Sequence, residues 1–379
     1  MKNPINIFDT IKDNFILYVK TAFSTRYPQF EKEREELLNR DKIFARAPWV
    51  EPLPIYKPSE YSIHEIPEVP NLNKDELATF KALARSGLIG DYKLHHHQYE
   101  MLQKAMAGNH CVITSGTGSG KTESFLLPLF AYLSKELNKW KLKANTLNNT
   151  KWWDDRGFGP ASIVGNGNTT LSTIAQQRPN SQRQAAVRAM LIYPMNALVE
   201  DQLSRLRKAL DSNPVRELLE SQYNDNRIYF GRYNSASPIP GKLWKEKNGN
   251  IIPDKYRINQ LKRELKAIED NNAKVVEYLN TNPDNLTEDK KVDLLANFQL
   301  LDGAEMRTRF DMQITPPDIM ITNFSMLSIM MMRDIENSIF EETKNWLECK
   351  DLPDAEREQE KKERIFHIII DELHLYRGG

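Results

Sequence analysis

The sequence predicts an α/β protein in which a parallel β-sheet carries helices on both faces. From residue 110 onward, short apolar segments alternate with segments of helical periodicity. This order is typical of β-α-β units, whose parallel strands are joined by helices. The 379 residues, 40% hydrophobic and 27% charged, have the composition of a globular protein. Their number is enough for about two or three domains of ordinary size.

Residues 1–72 predict a helical and proline-rich extension ahead of the sheet. Apolar residues recur at three- and four-residue intervals over 5–22 and 29–44, a spacing typical of amphipathic helices. The segment that follows reads APWVEPLPIYKPSEYSIHEIPEVP. Its prolines favour an extended strap over a neighbouring surface, or a linker.

Residues 73–379 predict a lobe built on the sheet. Two helices, 73–86 and about 95–107, open it, and each ends at a predicted glycine C-cap, Gly87 or Gly108. The strands predicted next are HCVITS (110–115), VRAMLIYP (187–194), RIYFG (227–231), DIMIT (318–322) and IFHIII (365–370), and helices are predicted at 121–139, 195–210 and 323–333.

Two inserts interrupt this alternation, at about 141–184 and 234–302. The first is rich in Asn, Gln, Ser, Thr and Gly and predicts a surface segment, in which Trp152 and Trp153 either stack on bases or anchor the segment locally. Within the second, residues 255–280 combine helical spacing with mixed charge. That combination favours a solvated helix.

Charge and cysteine content exclude several classes of protein. The formal net charge is zero, so any contact with nucleic acid depends on the local placement of Lys and Arg. Cys111 and Cys349 are too few for a disulfide framework and form no CxxC pair. The N-terminus lacks the pattern of a signal peptide, and no apolar run approaches the roughly 20 residues that span a bilayer. We therefore expect a soluble, cytoplasmic protein.

The phrase TSGTGSGKTES follows a predicted strand and opens a predicted helix, which is the context of a phosphate-binding loop. Its glycines let backbone N–H groups curl around phosphate oxygens, and the helix N-terminus adds partial positive charge. Lys121 is expected to reach the outer phosphates and Thr122 to offer a hydroxyl to Mg²⁺. Ser115 stands where the strict pattern has glycine. The residues expected to bind nucleotide are Ser115, Gly116, Thr117, Gly118, Ser119, Gly120, Lys121 and Thr122.

The acidic pair Asp371 and Glu372 follows the last apolar strand, IFHIII. A magnesium ion bound to phosphates needs a carboxylate at the end of a neighbouring strand, and Asp371 suits that role. Glu372 can orient and deprotonate the attacking water. An acidic pair at a strand exit is a weak signal alone, but the upstream phosphate-binding loop favours the functional interpretation.

Four phrases, in this order, resemble motifs I, Ia, Ib and II of superfamily 2 helicases of the DEAD/DEAH type: SGTGSGKTES, LIYPMNALVEDQLSRL, PPDIMITNFSML and IIIDELHLYRGG. The longer phrases YPMNALVEDQL, YFGRY, DMQITPPDIMITNFSML and DELHLYRGG resemble the large bacterial helicases of anti-phage defence islands, of the Druantia type. The resemblance implies a RecA-like lobe that binds ATP and Mg²⁺ and acts on nucleic acid. The defence context favours DNA.

The same resemblance implies roles around the nucleotide. Gln98 corresponds to the glutamine that recognises adenine. His374 matches the last residue of DEAH and is expected to couple the nucleotide site to nucleic acid, while Leu373 departs from the usual alanine. With Lys121 and the acidic pair, His374 completes the expected catalytic set. The adjacent histidines 95–97 point in different directions on a helix, which argues against a metal site.

The resemblance also implies contacts with the sugar-phosphate backbone of one strand, made by groups that ignore base identity. The residues expected there are Pro194, Asn196, Gly231, Arg232, Thr322 and Asn323. Three further basic residues either add phosphate contacts or form a solvated helix face: Arg205, Arg207 and Lys208.

Helicases of this superfamily bind ATP between two RecA-like lobes, and the second lobe supplies an arginine finger. The sequence contains no match to motif III or to motifs IV–VI. We therefore expect the chain to be the N-terminal part of a larger helicase, inactive or weakly active alone. The missing lobe would belong to the same parent chain or to a separate one. In such sheets the motif III strand lies between the phosphate-loop strand and the Asp-Glu strand, so we expect that part of the sheet to lack a partner.

Two alternatives remain open. The parent protein could be a translocase of restriction type that moves along duplex DNA, or the chain could be an inert remnant or nucleotide-sensing subunit completed by a second chain. A P-loop kinase or transporter ATPase is disfavoured, because neither accounts for YPMNALVEDQL or TNFSML.

Overall fold

The computed structural model describes residues 3–40, 43–46, 55–116, 118–139, 183–241, 243–248, 250–282 and 286–376. Thr117, Trp152 and Trp153, to which the sequence analysis gave roles, lie outside these ranges. The chain forms two compact units, Met1–Ile55 and Tyr56–Gly379. Within the described ranges, no helix has both the length and the apolar character needed to cross a membrane.

The first unit is a pair of helices, α1 (Pro4–Ala22) and α2 (Pro28–Asn39). Each begins with proline, whose fixed φ suits the first helical turn. Lys20 Nζ lies 2.7 Å from Glu35 Oε2 and ties the two helices together. The second helix ends earlier than predicted, because Arg40 adopts an extended backbone.

The second unit contains the remaining elements, which follow in chain order. They are β1 (Pro58–Ser62), α3 (Lys74–Leu83), β2 (Lys93–His95), α4 (His96–Met106), α5 (Lys121–Lys139), β3 (Ala189–Tyr193), α6 (Asn196–Asp211), α7 (Asn213–Tyr223), β4 (Phe230–Arg232), β5 (Trp244–Lys247), β6 (Asn250–Pro253), α8 (Lys255–Thr281), α9 (Glu288–Leu295), β7 (Glu305–Met306), α10 (Arg309–Ile314), β8 (Ile319–Asn323), α11 (Phe324–Met332), α12 (Asn337–Leu347), α13 (Asp354–Glu360) and β9 (His367–Ile370).

The predicted fold class is confirmed by a five-stranded sheet in the order β7-β4-β8-β3-β9. Every pairing in this sheet is parallel. All five residues of β3 are buried, as expected of a strand covered on both faces. The apolar stripe of α5 is buried with them, at Leu126, Phe130, Leu133 and Leu137.

The strand predicted at residues 110–115 does not form. Val112, at its centre, is 82% exposed. Within the described residues, β9 has a partner on one side only, so no neighbouring strand is available to hydrogen-bond this segment. An apolar run becomes a strand only where the backbone groups of a partner satisfy its own.

Two further expectations need correction. Gly87 does not cap a helix; it lies inside a π-helical turn, Ala84–Leu88, where a Cβ would clash with the backbone carbonyl of Ala209 on α6. The helix α8 is not solvated along its length, because Ile258 and Leu265 are buried in a small separate core. Gly108 does end α4 as predicted, with φ +89°.

A buried ion network lies at the N-terminal ends of the strands, opposite the end that carries the acidic pair. The carboxylate of Asp318 accepts two hydrogen bonds of 2.8 Å from the guanidinium of Arg183 and one of 2.8 Å from the backbone of Tyr229. Arg188 NH1 lies 3.2 Å from the same carboxylate. Asp318 is completely buried, so these partners replace the water that it loses on folding.

We expect Asp318→Asn to lower the free energy of unfolding by roughly 3–5 kcal/mol, because it removes the buried negative charge that the Arg183 guanidinium contacts. Asp302→Asn is the matched control, since Asp302 is half exposed and lies 2.6 Å from Arg216. An exposed pair of this kind contributes at most about 1 kcal/mol. Urea denaturation followed by circular dichroism measures both variants, and equal losses would contradict the assignment.

Candidate nucleotide and nucleic-acid site

The loop at residues 115–120 bends sharply into α5. Gly118 and Gly120 both have φ +74°, a conformation that favours glycine. A Cβ placed on Gly118 would meet no atom within 4 Å, so the concave side of the loop is open there. Ser115 Oγ and Ser119 Oγ lie 2.6 Å apart and close the bend. This shape leaves room for a phosphate group beside the start of α5.

Two side chains of helix α4 contact backbone carbonyls of the loop. Gln98 Nε2 donates to the carbonyl of Gly120 at 3.1 Å, and Gln98 Oε1 accepts from the backbone of His95 at 2.8 Å. His97 Nε2 lies 2.9 Å from the carbonyl oxygen of Ser119. Both ends of the Gln98 amide are thus engaged inside the protein, and its contact with adenine stays a prediction.

An aromatic cluster that the sequence analysis missed adjoins this loop. The ring of Tyr56 lies 5.8 Å from that of His95 and 5.6 Å from that of His97, and the two histidine rings stack at 5.5 Å. Within the described ranges the Tyr56 hydroxyl is enclosed without a hydrogen-bond partner, and a Cβ on Gly116 would contact it at 2.8 Å. The only sequence signal was a tyrosine in a proline-rich segment.

The acidic pair lies beside the loop. Lys121 Nζ is 3.9 Å from Glu372 Oε1. Glu372 has left-handed backbone angles, φ +50° and ψ +44°, which are rare outside glycine and cluster at functional sites. Its N–H donates to Asp371 Oδ1 at 2.8 Å, and His374 Nδ1 lies 3.2 Å from Glu372 Oε2. Four residues of the predicted catalytic set are therefore brought together.

Burial raises the pKa of Asp371 and the charge of Glu372 raises it further, whereas the hydrogen bond from the Glu372 backbone N–H lowers it. Lys121 and Arg205 also lower it, since a positive charge favours the ionised carboxylate. Burial outweighs these effects, so the pKa of Asp371 lies above its ordinary value.

Two tyrosines beside Asp371 were also missed. Parallel pairing of Ile192 with Ile370 aligns the next residues, Tyr193 and Asp371. The hydroxyls of Tyr193 and Tyr376 are both enclosed and have no hydrogen-bond partner among the residues that the structure describes. Burial raises the pKa of both, and the Asp371 charge raises it further; for Tyr376 the pKa reaches about 12.

The donor set fits a magnesium–nucleotide complex. Mg²⁺ prefers oxygen ligands, and a carboxylate and a hydroxyl are available in Asp371 and Thr122, the second residue of α5. The open loop, the helix N-terminus and Lys121 suit a phosphate chain. A cation beside Asp371 would also offset the burial that disfavours its ionised form.

Asn196 joins the segments that follow three neighbouring strands. Its Oδ1 accepts from Asn234 Nδ2 at 3.0 Å and from Asn323 Nδ2 at 2.8 Å. Its Nδ2 lies 3.5 Å from Ser235 Oγ, at the exposed tip of a turn. Asn323 Oδ1 also accepts from the backbone of Met326 and thereby caps α11. We call Asn196, Asn234 and Asn323 the asparagine hub; Asn234 and Ser235 were not anticipated.

The other residues predicted to contact a nucleic-acid strand are more enclosed. The Thr322 hydroxyl donates to the carbonyl of Tyr233 at 2.8 Å and is buried. Gly231 packs closely against β7, and Arg232 forms an ion pair with Glu200. Pro194 is half-buried. A role for these residues in nucleic-acid binding stays a prediction.

The basic residues of α6, for which two interpretations were open, are all paired in the structure. Arg205 contacts Glu123 at 2.9 Å, Arg207 pairs with Glu305, and Lys208 contacts Asp293 at 2.7 Å.

The family model of the DEAD/DEAH box helicase matches residues 95–243. Over 98% of its length, the chain is 30% identical to the Druantia protein DruE of Escherichia coli (strain UMEA 4076-1). The match covers 19% of that relative, so the chain spans about a fifth of the relative's length. No solved structure matches the chain significantly.

We expect Tyr193→Phe to leave the free energy of unfolding unchanged or to raise it by about 1 kcal/mol, because the hydroxyl that it removes is buried without a partner. Tyr233→Phe is the matched control. The Tyr233 hydroxyl accepts from Gln313 at 2.7 Å and donates to Glu336 at 2.9 Å, so its loss should cost roughly 1–3 kcal/mol. Denaturant titration of both variants provides the comparison. Equal destabilisation would mean that the Tyr193 hydroxyl has a partner.

Proposed function

Because residues 95–243 carry a DEAD/DEAH box helicase domain, we propose that the chain provides the ATP-binding lobe of an ATP-dependent helicase or translocase. The observation that carries this proposal is the 3.9 Å approach of Lys121 Nζ to Glu372 Oε1, which joins the phosphate-binding loop and the acidic pair in one site. Similarity to DruE along almost the whole chain supports a role in bacterial anti-phage defence.

In this function each of the site residues would have a distinct role. Lys121 and the N-terminus of α5 would hold the phosphates, while Asp371 and Thr122 would hold the metal ion. Glu372 would accept a proton from the attacking water, with His374 and Lys121 fixing the position of its carboxylate. ATP with Mg²⁺, when bound, supplies the phosphoanhydride bond whose cleavage drives movement.

We propose that the asparagine hub contacts the backbone of one nucleic-acid strand. Amide groups and the exposed Ser235 hydroxyl can hydrogen-bond to phosphate and sugar without reading bases. The hub connects the C-terminal ends of β3, β4 and β8, and Asp371 follows the C-terminal end of β9 in the same sheet. A nucleic-acid strand bound at the hub would therefore respond to movement of this end of the sheet. We expect DNA, in keeping with the defence context.

Full activity is proposed to need a second RecA-like lobe, in the same parent chain or in a separate one. The 19% of DruE that the chain spans supports this. The sheet of this lobe would also gain a strand, because β9 pairs with β3 alone within the described residues and Ile368 and Ile370 on β9 are 61% and 46% exposed. A second lobe would supply the arginine that stabilises charge on the transferred phosphoryl group.

Lys121→Ala should weaken binding of a fluorescent ATP analogue with Mg²⁺ by about tenfold or more, because it removes the charge that faces the outer phosphates. Lys104→Ala is the control: it removes the same charge from an exposed ion pair with Glu100 on α4. Fluorescence titration gives both affinities. Unchanged affinity in Lys121→Ala would count against the phosphate-binding loop.

Asn196→Asp should weaken binding of single-stranded DNA by about threefold or more, since it places negative charge where phosphate is proposed to bind. The substitution keeps the Oδ1 acceptor for Asn234 and Asn323, and its charge suits the first residue of α6, so the fold should persist. Asn213→Asp adds the same charge at the first residue of α7 and serves as the control. Fluorescence anisotropy measures both, and equal affinities would contradict a strand contact at the hub.

This chain alone should not separate duplex DNA, because the arginine finger of the second lobe is required for rapid hydrolysis. A fluorescent unwinding assay with ATP and Mg²⁺ tests this expectation. Robust strand separation by the purified chain would contradict the need for a second lobe.

A further inference from the structure

Arg309, the first residue of α10, lies beneath the turn at residues 233–238. Its N–H donates to the carbonyl of Pro238 at 3.1 Å, and its guanidinium lies 6.0 Å from the centre of the Tyr233 ring. The residue is 7% exposed. A long charged side chain is thus packed under a turn that supplies part of the asparagine hub.

The charge of Arg309 has no counter-ion among the residues that the structure describes. Its side chain makes no ion pair with a described Asp or Glu, and Nε is enclosed without a hydrogen-bond partner. Burial lowers the pKa of the guanidinium, Tyr233 and Glu336 raise it, and Arg333 lowers it further. Because arginine keeps its proton in proteins, the charge persists and its desolvation is only partly compensated.

The carboxylate of Glu336 does not cancel this charge. Glu336 Oε1 accepts from the Tyr233 hydroxyl and lies 2.9 Å from Arg333 NH2, whereas Oε2 is enclosed without a partner. Two guanidiniums therefore face one carboxylate, and the cluster keeps one net positive charge. The side chain of Arg333 is 39% exposed, so the cluster extends to the surface.

Tyr233 connects this cluster with the asparagine hub. The Tyr233 carbonyl accepts from the Thr322 hydroxyl, and the next residue, Asn234, donates to Asn196. Tyr233 therefore has the hub on its backbone side and Arg309 on its ring face. An anion that reaches this cluster from the surface would lie next to the hub.

We propose that Arg309, with Arg333 at the rim, binds a phosphodiester group of the strand that contacts the asparagine hub. The guanidinium fork matches the geometry of phosphate oxygens, and one bound phosphate would balance the one excess charge. This inference rests on the proposed nucleic-acid function and adds to it a defined phosphate site.

The test uses the full chain and a fluorescein-labelled 20-nucleotide thymidine strand, with affinities measured by anisotropy over a range of salt concentrations. Arg309→Met is expected to weaken binding about fivefold or more at low salt. It should also reduce the slope of log K against log salt by roughly 0.7, the contribution of one phosphate contact to a single strand. Lys104→Met, which removes a charge from the exposed pair with Glu100, should change neither quantity.

Companion variants separate a phosphate contact from support of the turn. Arg309→Lys should keep part of the affinity, and Arg333→Met should lower the slope in the same direction from a more exposed position. Melting temperatures establish that each variant is folded, and should Arg309→Met fail to fold, Arg309→Lys and Arg333→Met decide the question. Affinity for the fluorescent ATP analogue should be unchanged in all three.

An unchanged slope in folded Arg309→Met and Arg333→Met would overturn the inference and leave Arg309 as a support of the turn. Loss of nucleotide affinity in the same variants would overturn it too, because the phosphate would then belong to the nucleotide. Failure of the unsubstituted chain to bind the strand at any salt concentration would overturn the proposed function together with this inference. Loss confined to the variants supports both.

Discussion

The parallel register of three strands determines where every functional group lies. Residues Ala189–Tyr193 pair one for one with Ile319–Asn323 on one side, and residues 189–192 pair with His367–Ile370 on the other. Neither pairing contains a bulge, so the three strands end at the same level of the sheet. A slip of one residue would turn Asp371 toward the opposite face. The candidate nucleotide site and the asparagine hub both lie at the C-terminal ends of these strands, and both depend on this register.

The two ends of the sheet handle charge differently. At the strand starts, the charge of Asp318 is matched by two arginines and a backbone N–H. At the strand ends, Lys121 and Glu372 stay 3.9 Å apart, and Arg309 forms no ion pair with an Asp or Glu that the structure describes. Matched charges stabilise the fold, whereas unmatched ones cost stability and leave groups able to take a ligand. This difference supports the C-terminal ends of the strands as the functional face of the lobe.

Sequence reasoning found the features encoded within a few residues. The glycines before Lys121 and the acidic pair after an apolar strand are patterns of that kind. The resemblance to helicases named Asn196 and Asn323, but Asn234 and the contacts among the three were missed, because Asn196 meets partners 38 and 127 residues away. Residues 110–115 were assigned to a strand on local apolarity, although strand formation also needs a partner backbone. Gly87 illustrates the converse: its small size serves contact with α6, which local sequence does not reveal.

The open side of β9 has a consequence for how the lobe responds to its surroundings. Asp371 follows this strand directly, and its N–H is held by the carbonyl of Ile192 on β3 alone. A chain segment that docked along the free side would brace the backbone from which both carboxylates emerge. Nucleotide affinity and occupancy of that side are then thermodynamically linked, and each binding event strengthens the other by the same factor.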